Sequence, residues 1–275
     1  MNYRHAFHAG NFADLVKHAA LIELLSRLTQ AKAPLTVIDT HAGAGRYDLG
    51  GPEAQRSGEA AAGVARLMAA TDAPAPLQAL RRAVAAAEKA WSGPAYPGSP
   101  WLTAERLRPR DRLVACELRP EEHGALARLL RGRANVETRC TDGFAAAAQA
   151  LPARGPALAL IDPPFERADD YRRTAAAARA ALVRNAGAVL MIWLPLKDLE
   201  TFDAFLRSLE DAARRTPLLI AETRIRPLSD PMRMNGCVLA FANPPAGFEA
   251  PLQAACDWVA ETLGQGGSAR ILTPG

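Results

Sequence analysis

The tetrapeptide Asp162-Pro163-Pro164-Phe165, which follows the apolar run 157–161, has the residue types to activate an aromatic amino group. The lone pair of such a nitrogen is delocalised into the ring, so an enzyme must accept its hydrogens to make it nucleophilic. The prolines lack N–H donors and restrict the backbone, so the Asp162 carboxylate and the Pro163 carbonyl can face one point. Phe165 offers a flat face for stacking. We therefore predict Asp162, Pro163 and Phe165 as catalytic residues.

Proline pairs also mark rigid turns at the ends of strands, and that reading of the tetrapeptide stays open on these residues alone. The chain contains a comparison in residues 243–246 (NPPA), which follow the apolar run 238–241. This second segment has neither the carboxylate nor the aromatic ring. We interpret it as a turn.

A glycine-containing turn follows the first strand-like run, Leu35 to Asp39. Open α/β sheets bind ligands where strands end, and Gly43 and Gly45 allow the backbone to approach a cofactor closely. A dinucleotide fingerprint would have another glycine three positions after Gly45, where this chain has Asp48. NAD is therefore disfavoured.

Two acidic positions after later strands fit a bound nucleoside. Glu117 could accept both ribose hydroxyls through its two carboxylate oxygens. Asp142 could accept from an adenine amine, and Gly143 would permit close approach. Each residue also has an ordinary explanation, since Glu117 could be a plain carboxylate at a strand end and Asp142 could cap a helix.

The hydrophobic pattern alternates between strands and helices along the chain. A helix is predicted from Phe12 to about Gln30, and an Ala-rich helical insertion from 50 to 110. Further helices begin near 121, 144, 171, 199 and 253. The predicted strands are 35–39, 113–116, 135–138, 158–161, 188–193, 218–222 and 237–241. This order predicts an α/β fold of the Rossmann-like type, with a mostly parallel sheet and helices on both faces. We predict one domain over 1–275, with the helical insertion at 50–110 within it.

The composition excludes several other classes of protein. The chain has 275 residues, 49% hydrophobic and 23% charged, without an N-terminal signal core or a run of about 18 apolar residues. We expect a cytoplasmic protein that is not bound to a membrane. The four cysteines form no Cys-x-x-Cys pair, which argues against a zinc ribbon. A net charge of +4 permits a polyanionic partner without requiring one.

Three segments resemble one family closely: residues 3–18 (YRHAFHAGNFADLVKH), 39–47 (DTHAGAGRY) and 96–100 (YPGSP). They are similar to the RlmJ family of bacterial 23S ribosomal RNA adenine-N6 methyltransferases, and the likeness extends from the first residues through the final strand. The resemblance implies an S-adenosylmethionine-dependent Rossmann-like enzyme. It implies a monomer that acts on 23S rRNA.

The resemblance also implies roles for individual residues. Those expected around S-adenosylmethionine are His18, His41, Ser99, Glu117, Asp142, Gly143 and Asp162, with Asp162 as the catalytic acid-bearing residue. Gly43 is also predicted to bind the cofactor, from its place in the glycine turn. Tyr3 would contact the RNA, with His5 and Lys17 close to the active site. One departure is Phe165, where Tyr is familiar in the family; stacking survives this change, whereas any use of a hydroxyl does not.

Alternative functions remain open from the sequence. A similar Asp-Pro-Pro-aromatic tetrapeptide is found in guanine-N2 rRNA methyltransferases, and a non-catalytic RNA-binding module could use the same fold. His5, His8 and His18 could also suggest a metal site. We expect no metal, because a site usually needs three or four ligands in fixed geometry and neither a cysteine nor a paired acid stands nearby.

Overall fold

The computed structural model of the chain describes residues 4–213, 216–228 and 234–274. Tyr3 lies outside these residues. After a short 3-10 helix, His5–Phe7, the helices are α1 Phe12–Leu28, α2 Pro52–Ser57, α3 Glu59–Ala62, α4 Val64–Ala69, α5 Ala75–Trp91, α6 Ser99–Ala104, α7 Pro120–Leu129, α8 Gly143–Ala150, α9 Asp170–Arg184, α10 Leu199–Ala213 and α11 Glu249–Leu263. The strands are β1 Thr36–Asp39, β2 Arg46–Asp48, β3 Ala95–Pro97, β4 Arg112–Glu117, β5 Val136–Cys140, β6 Ala157–Ile161, β7 Val189–Leu196, β8 Leu218–Arg224, β9 Gly236–Ala242 and β10 Ser268–Leu272.

Eight strands form one sheet in the order β10-β8-β9-β7-β6-β1-β4-β5. The five strands from β7 to β5 run parallel to one another, whereas β9 is antiparallel to both β7 and β8, and β10 is antiparallel to β8. The mostly parallel α/β fold predicted from the sequence is confirmed. Because the parallel strands share a direction, their carboxyl ends meet at one edge of the sheet.

The sheet is covered on both faces, and strand β6 shows how. Leu158 and Leu160 pack in a hydrophobic cluster with α1, α5 and α11. Ala159 and Ile161 point the other way, into a cluster with α8, α9 and α10. Successive side chains of a strand alternate between faces, so a strand buried on both sides is a continuous apolar run. This explains why 157–161 contains no polar residue.

The segment from 50 to 110 leaves the sheet after β1 and returns at β4, which is the parallel neighbour of β1. It contains α2 to α6 and also strand β3, which the sequence did not predict. Strand β3 pairs antiparallel with β2, which lies just before this segment in the chain. Strand β10 was also missed. Among the helices of the described ranges, none is both long enough and apolar enough to cross a bilayer.

Candidate active site

A cavity of about 390 Å³ opens where the parallel strands end. Its volume lies in the range typical of small-molecule sites. The structure places twelve of the predicted residues on its wall: His5, Lys17, His18, His41, Gly43, Ser99, Glu117, Asp142, Gly143, Asp162, Pro163 and Phe165. Their roles stay predictions, but their convergence follows from the topology. The predicted RNA contact Tyr3 falls outside the described residues.

An ion-pair network connects α1 to the end of β6. Nζ of Lys17 donates to Oδ2 of Asp162 at 2.6 Å and lies 2.9 Å from Oδ1 of Asp14. Oδ2 of Asp14 lies 3.1 Å from Nε2 of His5 and accepts from the main-chain N–H of Gly10 at 2.9 Å. Lys17 and Asp14 are both almost fully buried. The network therefore fixes the direction of the Asp162 carboxylate from one side.

The charges of this network stabilise one another. Burial disfavours the Asp14 carboxylate, yet the charges of Lys17 and His5 outweigh it and hold the Asp14 pKa well below its usual range. Burial likewise disfavours the Lys17 ammonium, but Asp14 and Asp162 together raise its pKa well above the ordinary value. Lys17 is therefore charged throughout the physiological range of pH. Its ammonium group therefore places a positive charge beside the Asp162 carboxyl.

The corner after β6 has an unusual backbone. Phe165 has φ of +49°, a left-handed conformation that bulky residues rarely adopt. Its ring packs against Tyr171, with centroids 4.6 Å apart, and lies 6.1 Å from the Trp193 ring. Phe165 is 8% exposed and still lines the cavity. Packing against Tyr171 and Trp193 thus holds the ring at the wall in a conformation the backbone alone disfavours.

Glu117, at the end of β4, is oriented by the main chain. Its Oε2 accepts from the N–H of Gly43 at 3.0 Å, and its Oε1 accepts from the N–H of Arg119 at 2.7 Å. A carboxylate oxygen can accept a second hydrogen bond, so both oxygens keep capacity for a ligand. Gly43 has φ of +60°, and a Cβ there would lie 2.2 Å from the Tyr47 hydroxyl oxygen. The packing of Tyr47 therefore requires a glycine at position 43, whether or not a ligand is bound.

Asp142 caps α8, as one of the two open readings predicted. Its Oδ1 accepts from the N–H of Phe144 at 3.0 Å, and its Oδ2 pairs with Arg173. The Arg173 guanidinium also lies over the Phe144 ring, 4.3 Å from the centroid. At Gly143 the group that approaches closely is the protein's own backbone. A Cβ there would lie 1.7 Å from the carbonyl oxygen of Thr40.

Two histidines on the cavity wall are neutral at ordinary pH. Burial lowers the pKa of His18 to about 3, and its Nδ1 shares a 2.8 Å hydrogen bond with the Tyr96 hydroxyl. Burial lowers the pKa of His41 to about 4, and its Nδ1 lies 2.7 Å from Oγ1 of Thr40. Neutral imidazoles can donate or accept hydrogen bonds without adding charge.

Sequence reasoning missed a buried carboxyl beside the cavity, Asp39. Ser99, which lines the cavity, donates from its Oγ to Oδ2 of Asp39 at 2.6 Å. Oδ1 of Asp39 is buried and makes no hydrogen bond. Burial, the main cause, raises the Asp39 pKa to about 7, with the Asp162 charge adding to the effect. Asp39 follows an apolar run just as Asp162 does, and that signal could have found it.

The three N-terminal histidines contact separate partners. His5 bonds to Asp14, His8 to Glu59 at 2.9 Å, and His18 to Tyr96. In the described ranges no group of three or more His, Cys, Asp or Glu side chains is arranged to hold a metal ion. Asp14, Glu59 and Arg173 were not selected as site residues from the sequence. Asp14 was visible there only as an acid in the first turn of a helix.

The sheet order and the cavity at its carboxyl edge define a Rossmann-like α/β protein with a ligand site, and the family match makes it an S-adenosylmethionine-dependent methyltransferase. Residues 32–272 match the family model described as "RsmJ: Ribosomal RNA large subunit methyltransferase D, RlmJ". The chain belongs to this family.

Curated relatives and a solved structure agree with the assignment. Ribosomal RNA large subunit methyltransferase J of Escherichia coli strain K12 is 33% identical over 266 residues, which cover 96% of this chain and 94% of the relative. The Haemophilus influenzae protein of the same name is 34% identical over 270 residues, with the same coverage. The crystal structure of protein LPL1258 from Legionella pneumophila is 28% identical with a TM-score of 0.86, covering 97% of this chain and 98% of that chain.

Proposed function

We propose that this protein transfers a methyl group from S-adenosylmethionine to the N6 amino group of an adenine in 23S ribosomal RNA. The family and the names of the two curated relatives support a ribosomal RNA substrate of the large subunit. The observation that carries the proposal is the position of Asp162, which lines the cavity between Phe165 and a buried lysine. The adenine-N6 specificity rests on the resemblance to the RlmJ family.

The residues of the cavity fit S-adenosylmethionine, which supplies a methyl group on a positively charged sulfur. Acidic side chains on the wall outnumber Lys and Arg, and this favours a cationic ligand. Oδ1 of the neighbouring Asp39 is a buried acceptor without a partner. The residues we propose to hold the donor are His18, His41, Gly43, Ser99, Glu117, Asp142 and Gly143.

The acceptor side depends on the corner after β6. The Asp162 carboxylate and the Pro163 carbonyl accept the two N6 hydrogens, which localises the nitrogen lone pair for attack. The ring of Phe165 stacks on the base and holds it in that orientation. The target adenine must leave any base stack to reach this corner, as bases modified on their amino groups generally do. The increase in the rate of methyl transfer comes from orientation of the base and from fixed electrostatics.

The proposal is tested with tritiated S-adenosylmethionine and 23S rRNA prepared without modification. We expect transfer, with N6-methyladenosine as the labelled nucleoside after digestion. Asp162→Asn keeps the shape of the side chain but presents a donor towards the amine, so the single-turnover rate should fall by about 10² or more while donor binding changes less. Glu166→Gln, an exposed position on the same loop, is the matched control and should keep the wild-type rate.

Three outcomes would contradict the proposal. Labelled N2-methylguanosine would identify a guanine-N2 enzyme. RNA binding without any transfer would favour a non-catalytic module. An unchanged rate in Asp162→Asn would remove the proposed role of the carboxylate.

We further propose that the protein acts as a monomer in the cytoplasm, where ribosomal RNA is made. The support for a monomer is the resemblance to the RlmJ family. Sedimentation equilibrium at micromolar concentration tests this.

A further inference from the structure

The insertion contacts the N-terminal segment through one carboxylate, Glu59, the first residue of α3. Oε1 of Glu59 lies 2.9 Å from Nδ1 of His8, and its Oε2 accepts from Nδ2 of Asn11 at 2.9 Å. Both oxygens therefore bind the short stretch that leads into α1. Glu59 and His8 lie at the wall of the cavity, and each is partly exposed.

That short stretch in turn shapes the start of α1. Oδ1 of Asn11 accepts from the N–H of Asp14 at 3.0 Å and so caps the helix. The N–H of Gly10 donates to Oδ2 of Asp14 at 2.9 Å. Asp14 then contacts Lys17, and Lys17 contacts Asp162. A continuous path of polar contacts thus runs from the insertion to the catalytic corner.

The backbone of the insertion is also fitted closely to this stretch. The N–H of Val64 donates to the carbonyl oxygen of Gly10 at 2.8 Å. A Cβ at Gly63 would lie 2.2 Å from that same oxygen, so only glycine permits the contact. Gly10 has φ of +78°, and a Cβ there would meet Val64 at 2.8 Å. The two segments are docked backbone to backbone, with Glu59 fixing the side chains around the contact.

We propose that Glu59 is a positioning residue for methyl transfer: the insertion, through Glu59, holds residues 8–11 so that Lys17 meets Asp162 in the reactive geometry. This inference rests on the proposed function. It gives the insertion a role inside the active site that requires no contact between the insertion and RNA.

The charge of Glu59 matters because its partner His8 can be protonated. The hydrogen bond that His8 donates to Glu59 is the largest influence on the His8 pKa and raises it against the effect of burial, with the charges of Glu59 and of Asp14 from α1 acting in the same direction. A carboxylate accepts from Nδ1–H of His8 in either protonation state. A glutamine offers one acceptor and one donor in place of two acceptors. If its oxygen accepts from Nδ2 of Asn11, its amide nitrogen can donate to Nδ1 of neutral His8 but faces another donor in protonated His8.

The experiment compares Glu59→Gln and Glu59→Ala with the wild type in single-turnover methylation of 23S rRNA at saturating donor and RNA. Relative to the wild type at each pH, we expect Glu59→Gln to keep its rate within about twofold at pH 8.5 and to lose about tenfold at pH 5, well below the ordinary His pKa of about 6.5. Glu59→Ala should lose about tenfold at both values. Glu53→Gln, on the neighbouring helix α2, is the matched control and should match the wild type throughout.

The donor dissociation constant and the melting temperature are measured for each variant. Wild-type rates in both Glu59 variants would overturn the inference, and so would a loss of rate that is equal at both pH values in Glu59→Gln. A weakened donor affinity with normal rates at saturation would make Glu59 a donor contact instead. A wild-type protein that transfers no methyl group would count against the proposed function, which keeps the two failures distinguishable.

Discussion

Lys17 and Asp162 are 145 positions apart in the chain, and Nζ of one lies 2.6 Å from Oδ2 of the other. The same ammonium group contacts Asp14, so one buried cation serves two carboxylates from different elements. A buried charge is tolerated only when its partners compensate for lost hydration. Lys17 therefore joins α1 to the corner after β6, which we propose to be catalytic, and its loss should affect both stability and chemistry.

Lys17→Met keeps much of the side-chain volume and removes the charge. It leaves Asp14 buried and uncompensated, so the free energy of unfolding should fall by about 3–5 kcal/mol at pH 7.5. In the wild type, the pKa of Asp14 is lowered and that of Lys17 is raised, so both groups are charged between about pH 4 and pH 10. The pair therefore makes its full contribution to the free energy of unfolding throughout that range. In the variant the Asp14 pKa rises, so protonation relieves the penalty and the destabilisation should shrink at pH 5. Urea unfolding at both pH values measures this; a destabilisation independent of pH would contradict it.

Asp39 should make the protein less stable as the pH rises. Burial raises the pKa of its carboxyl to about 7, whereas the unfolded chain releases this proton near pH 3.9. Between about pH 4 and pH 7 the folded state keeps this proton while the unfolded chain has released it. The free energy of unfolding therefore falls as the pH rises through that range. Asp39→Asn cannot ionise and can still accept from Ser99. Relative to the wild type, this variant should gain about 2–3 kcal/mol in unfolding free energy between pH 5 and pH 8.

Asp203→Asn, at an exposed position on α10, is the matched control for this measurement and should follow the wild type at both pH values. If Asp39→Asn showed the same pH dependence of stability as the wild type, Asp39 would not be the titrating group.

The sequence predicted β4 and β6, which carry Glu117 and Asp162, because each is an apolar run that ends at or before an acidic residue. Asp142 follows the more polar strand β5 and was found from its place after that strand, beside Gly143. The convergence of parallel strands brings all three acids to one cavity. Strands β2 and β3 were missed because three residues are too few to show a period of two.

The pairing of charges could not be predicted from the sequence. Nothing local indicates that Lys17 contacts an acid 145 positions away, or that Glu59, on a four-residue helix, contacts His8. Such pairs depend on how the insertion and α1 pack on the sheet. Asp142 shows a different limit, because a helix cap and a ligand contact need the same residue type at the same position.

Substitution of Gly143 and of Gly124 by alanine should change the free energy of unfolding in opposite directions. A Cβ at Gly143 would lie 1.7 Å from the carbonyl oxygen of Thr40, so Gly143→Ala must push α8 away from the end of β1. We expect a loss of about 3 kcal/mol or more in unfolding free energy, at the upper end of overpacking effects.

Gly124 lies inside α7, where the nearest atom to a new Cβ is the mobile end of Arg128 at 3.5 Å. Gly124→Ala should therefore gain about 0.5–1 kcal/mol in unfolding free energy, since glycine is a poor helix former.

Because Gly143 lines the cavity, Gly143→Ala should also bind S-adenosylmethionine more weakly, which calorimetry would measure. A Gly143→Ala protein with wild-type stability and donor affinity would show that α8 is not packed against β1 in this way.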